Sequence, residues 1–103
     1  MERLSTDLFD RAVKEMSTDM KDHDFDVKKK PRQEHAREIL GDRIKAVRDM
    51  ADKFDRMIAE ATIPTYEGPL RDGNRKSMLP VLTAYPAVSK ETAKEIIGEL
   101  FGS

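Results

Sequence analysis

The chain has 103 residues, a formal net charge of −1, and neither cysteine nor tryptophan. That is one domain's worth of chain with a limited core, and the missing cysteines exclude disulfide staples, thiol catalysis and thiolate metal sites together. Acids and bases are spread so evenly that no third of the sequence holds an excess of bases, which removes the long-range attraction behind nucleic-acid binding.

Charged residues are as abundant as hydrophobic ones, 38% each, a mixture suited to solvated helices or to a fold completed by self-association. The opening MERLSTDLFDRAVKEM is too charged for a secretory signal, and no apolar run approaches the roughly 20 residues of a membrane helix. The expectation is a soluble, unprocessed, cytoplasmic protein with no membrane partner.

The first predicted element is a helix over about 4–21. Leu4, Leu8, Phe9, Val13, Met16 and Met20 fall at helical spacing, with Ala12 among them and Asp10, Arg11, Lys14 and Glu15 on the other side. Ser5 or Thr6 caps its start, and Asp7 suits the positive end of the helix dipole.

A charged joint follows over 22–30, in which DHDFDVKKKPRQ places aspartates at Asp22, Asp24 and Asp26. Those are positions 1, 3 and 5 of a calcium loop, but Val27 stands where the sharp turn needs glycine and Gln33 where a bidentate glutamate belongs. Lys28, Lys29 and Lys30 oppose a cation directly. The joint therefore reads as a solvated hinge, and His23 and His35 as ordinary histidines without metal-ligand spacing.

The second helix, about 31–61, starts at Pro31, a residue tolerated in a first turn. Leu40, Ile44, Val47, Ala51, Phe54, Ile58 and Ala61 are spaced 4, 3, 4, 3, 4, 3, a heptad seam widened by Ile39, Met50 and Met57. Gly41-Asp42 is its weak point, since Gly ends helices and Asp caps them, but the seam runs through it. This set, Leu40, Ile44, Val47, Met50, Ala51, Phe54, Met57 and Ile58, is the expected core or oligomerisation seam. A helix of this length outruns shorter neighbours and leaves apolar surface open to a second copy or a partner helix.

Pro64, Pro69, Pro80 and Pro86, with the turn-forming RDGNRK at Arg71 to Lys76, predict an irregular or hairpin-like excursion over 62–88. Long excursions inside small domains are often functional. Leu70, Met78, Leu79, Val81, Leu82 and Tyr85 are its candidate partner-binding anchors, and Arg71, Arg75 and Lys76 its candidate contacts to acidic groups. The last helix, about 89–101, has Ser89 as N-cap, a Val88–Ala93 staple, Glu91 in the first turn and Gly102 at its end.

The fold class expected is thus all-α, with a long central amphipathic helix, a shorter helix at each end and a Pro-rich excursion before the last. No nucleotide fingerprint or nucleophile elbow appears, so neither an enzyme nor a cofactor is expected. The function expected is that of a non-enzymatic interaction protein (assembly component, adaptor, inhibitor or virion component) that binds a protein partner and self-associates. The alternative is an oligomer that binds a small anionic ligand or nucleic acid through the GNRK tip and the KKKPR cluster at Lys28 to Arg32.

Overall fold

A computed structural model of the chain describes residues 4–60 and 67–102, with the side chains of residue 58 and of residues 67–74 outside the description. Among the described residues every regular element is helical, in the order α1 (Thr6–Asp19), a 3-10 turn (Asp22–Asp24), α2 (Arg32–Glu60), α3 (Glu67–Thr83) and α4 (Lys90–Phe101).

The predicted caps form. Ser5 Oγ accepts from the Leu8 N–H, and Ser89 Oγ from the Thr92 N–H, each satisfying a helix-start donor that otherwise lacks a partner. Gly102 ends α4 at a positive φ of 77°, a backbone angle that glycine adopts without steric cost. Pro31 precedes α2, and its carbonyl accepts from the Glu34 and His35 N–H groups. Gly41 and Asp42 do not break α2, which continues to Glu60 as one helix of 29 residues, about 43 Å long.

The hairpin-like excursion over 62–88 is corrected to a helix along much of its length. Residues Glu67–Thr83 form α3, including RDGNRK and Pro80. Met78 and Leu82, one turn apart, are 1% and 0% exposed. Burying that pair drives the helix against its local preferences, which an interior proline alone opposes by about 3 kcal/mol. Pro80 and Lys76, whose carbonyl loses its intrahelical donor, are both exposed residues. Residues 61–66 lie outside the described residues.

Polar contacts fix the helix directions. Arg43 of α2 reaches the carbonyls that follow α3, Ser5 before α1 reaches Glu99 near the end of α4, and Glu15 near the end of α1 reaches Ser89 at the start of α4. α3 therefore runs antiparallel to α2, and α4 antiparallel to α1. Together they form a four-helix body around Leu8, Ala12, Val13, Met16, Ala36, Leu40, Val47, Met78, Leu82, Ala93, Ile96, Ile97 and Leu100, all buried.

The body is shorter than α2. Arg75 of α3 donates to the Phe101 carbonyl at 3.2 Å, so α1 begins, and α4 ends, at about the level of Arg75. The turns of α3 before Arg75, and the last third of α2 beside them, run on as a two-helix arm. The molecule is accordingly elongated, 54 × 22 × 22 Å.

Candidate interaction surface

The three carboxylates of the joint make separate bonds. Asp22 pairs with Arg32 of α2. Asp24 accepts from the Tyr85 hydroxyl at 2.7 Å, and Asp26 Oδ1 accepts from the Lys29 N–H at 3.1 Å. His35 Nε2 lies 3.1 Å from the Asp26 carbonyl oxygen, with its ring 5.5 Å from that of Phe25. Among the described residues no group of three or more His, Asp or Glu is placed to hold a metal ion. Asp22 fastens the hinge to α2 and Asp24 to the segment after α3, whereas Asp26 closes a turn within the hinge.

The KKKPR cluster is partly neutralised in the same way. Lys30 Nζ meets Glu38 at 2.5 Å, which holds the Glu38 carboxyl below its ordinary value through the hydrogen bond and the adjacent charge. Arg32 is paired with Asp22, which leaves Lys28 and Lys29 as the exposed cations of the cluster.

A second junction, unread in the sequence, ties α3 to the rest. The Arg43 guanidinium donates to the carbonyls of Pro86 at 2.6 Å, Tyr85 at 2.9 Å and Leu82 at 3.4 Å. These carbonyls lie at the negative end of the α3 dipole, where a cation is favoured. Desolvation of the half-buried guanidinium lowers its pKa from the ordinary value. Tyr85, which precedes a cis proline, accepts from the Lys21 N–H at 2.8 Å while donating to Asp24. Partial desolvation and the Asp24 contact raise its pKa.

Directly after that junction, α1 grips the approach to α4 with carboxylates. Glu15 accepts from the Ser89 N–H at 2.7 Å and the Thr92 hydroxyl at 2.6 Å, and Asp19 accepts from the Ala87 N–H at 2.7 Å. Partial burial alone would raise the Glu15 pKa, but the bonds from Thr92 and Ser89 and the nearby Arg11 charge outweigh it and bring the group below 4.5. Beside these bonds an open groove of about 670 Å³ runs between α1 and residues 87–89, lined by Arg11, Lys14, Glu15 and Thr18 among others. Its acids, Glu15 and Asp19, hold backbone and hydroxyl donors of the segment leading into α4.

The candidate anchors in 62–88 divide. Met78 and Leu82 are buried in the chain's own core, and Leu79 and Val81 pack partly against it. These four hold α3 in place, and Met78 and Leu82 are withdrawn from any partner surface. Tyr85 stays 46% exposed, though its hydroxyl is bonded to Lys21 and Asp24. Arg75 is half-buried on Phe101 and Lys76 is exposed. Leu70 and Arg71 belong to α3, but their side chains lie outside the described residues.

The seam divides more sharply. Leu40 and Val47 are 0% exposed, and Ile44, Met50 and Ala51 pack partly on the core. Phe54 is half-buried but is not among the side chains packed on that core, and Met57 is 69% exposed. The Ile58 side chain and all of Ala61 lie outside the described residues. The change comes past the level where α4 ends and α1 begins, where the described side chains of α2 include Phe54, half-buried, and Met57, exposed. Exposed charges flank it at Asp52, Lys53, Asp55 and Arg56.

No family model matches the chain, and no curated protein or solved structure does. Among the described residues no helix is long and apolar enough to cross a membrane.

Proposed function

We propose that the chain is a non-enzymatic interaction protein, an assembly component, adaptor or inhibitor, which engages a protein partner through the arm formed by the end of α2 and the start of α3. The observation that carries this reading is Met57, 69% exposed on the helix whose seam is sealed at Leu40 and Val47. Apolar strips that continue a core face into solvent are characteristic of interaction sites. Methionine beside an aromatic gives such a surface an adaptable contact and a rigid one. Compared with the sequence expectation, the surface moves outward, away from Met78 and Leu82 and toward Phe54 and Met57, with Arg71, Arg75 and Lys76 of α3 as the basic residues nearest by position.

The competing reading, a binder of small anions or nucleic acid through GNRK and KKKPR, draws less support. Lys30 and Arg32 are in ion pairs, and Arg75 donates to a carbonyl. Capture of partners from the native host, with the unmodified chain and with Met57→Lys as baits, tests both readings. The expected result is one or more proteins held by the unmodified chain and lost by the variant, with binding steady between about 50 and 200 mM salt. Binding that ignores Met57→Lys and falls steeply over that salt range sinks the arm reading in favour of phosphate recognition.

A further inference from the structure

We infer that Met57 is an oxidation site, and that conversion of its thioether to the sulfoxide by peroxide switches off partner binding; the switch rests on the reading of Met57 as part of an interface. The chain has six methionines and no cysteine. With no thiol present, thioethers are the only sulfur that a peroxide can oxidise here.

Solvent access ranks those thioethers. Met16, Met20 and Met78 are 0%, 3% and 1% exposed, and Met50 packs partly against the core. Met57 is 69% exposed against 3% for Met20, a ratio of about 20. Met1 lies outside the described residues. A peroxide reaches sulfur from water, so among the described residues Met57 meets it first.

The step balances with one peroxide. A sulfur lone pair forms the S–O bond as the O–O bond breaks, and the departing hydroxide takes the proton from the transferred oxygen to leave as water. Sulfur is oxidised by two electrons and the peroxide is reduced. Reversal consumes two thiols, which form a disulfide while the oxygen leaves as water, the chemistry of methionine sulfoxide reductases.

Position decides the consequence. A sulfoxide at Met16 or Met78 puts a polar group into the core and disrupts packing. Met57 is not among the side chains packed on that core, so its sulfoxide leaves the helices intact and alters only the surface. In a dry apolar contact the new oxygen has no donor, and affinity is expected to fall about tenfold or more. A loss of binding without a loss of fold is what a reversible switch requires.

Brief treatment of the folded chain with hydrogen peroxide, followed by trypsin and peptide masses, tests the site. Cleavage after Arg56 and Arg71 leaves Met57 as the one methionine of its peptide, with Met50 and Met78 in others. Met57 is expected to gain one oxygen at least about tenfold faster than Met16, Met20 or Met78, with an unchanged helical circular dichroism spectrum. The switch is read on the host proteins that the unmodified chain captures and Met57→Lys does not. Peroxide is expected to abolish that capture, and sulfoxide reductases to restore it. Met57→Leu, apolar but without sulfur, is expected to capture the same proteins before and after peroxide. Oxidation of Met57 no faster than that of the buried methionines overturns the site. Capture that survives full oxidation of Met57, or that peroxide abolishes equally in Met57→Leu, overturns the switch and leaves the interface standing. A chain with no Met57-dependent partner overturns the interface reading and the switch together, and the oxidation rates alone then decide the site.

Discussion

Leu40 and Val47 are fully buried, whereas Met57, further along the same amphipathic helix, is 69% exposed. The two stretches share a helical register and apolar patterning, and they differ in what lies opposite. Around Leu40 and Val47 the helices α1, α3 and α4 close the bundle; past the level where α4 ends, the one other helix among the described residues is α3. A heptad pattern specifies which face is apolar, and the lengths of neighbouring helices decide how much of that face is sealed. The carboxylate clamps of Glu15 and Asp19, the Arg43 junction and the Tyr85–Asp24 bond all belong to the sealed end.

The largest expected difference between the two ends is in stability. Leu82→Ala removes a side chain that is 0% exposed and is expected to cost about 2–5 kcal/mol in urea unfolding. Met57→Ala is expected to change stability by less than about 0.5 kcal/mol at concentrations where the chain is monomeric. Equal effects would mean that the arm is packed as tightly as the body.

A smaller loss is expected from Arg43→Met, which keeps the aliphatic stem and deletes donors to three carbonyls. A cost of about 1.5–3 kcal/mol follows from hydrogen bonds made by a charged donor, measured as a lower urea midpoint. Hydrogen exchange is expected to speed up at the end of α3 near Leu82 more than at the end of α2. A uniform change across all helices would show that Arg43 does not act on the α3 terminus.

The smallest effect depends on pH. The folded-state pKa of Glu15 is lowered, so its ionised form is favoured by folding. Its contribution is present above the ordinary value of 4.5 and is lost as pH falls through the lower folded-state value. Glu15→Gln is therefore expected to be less stable than the unmodified chain at pH 7, with the difference shrinking below about pH 4.5. A difference that stays constant through the acid range would mean that packing, and not charge, is what Glu15 contributes.

Much of this was legible one residue at a time. The caps at Ser5 and Ser89 follow from hydroxyl chemistry and the start of an apolar period. The segment before α4 was not legible. Gly73-Asn74 and Pro80 point away from a helix when read locally, whereas the Met78–Leu82 spacing points toward one; burial decides between them, and burial is a property of the whole bundle. Arg43 gave no signal, because its acceptors are backbone carbonyls of residues far along the chain. Glu15 looked like one more solvated acid until α4 arrived beside it.

The sequence by itself determined that the chain is helical, where α1, α2 and α4 begin, and that α2 carries an unbroken apolar face. Those properties depend on interactions within a few residues, where propensity, capping and periodicity act. Only the tertiary structure decided that residues 67–83 are helical and which apolar side chains are buried, from Leu40 and Val47 at 0% exposure to Met57 at 69%. Those outcomes depend on which helices meet and at what level each one ends, and no local pattern records either.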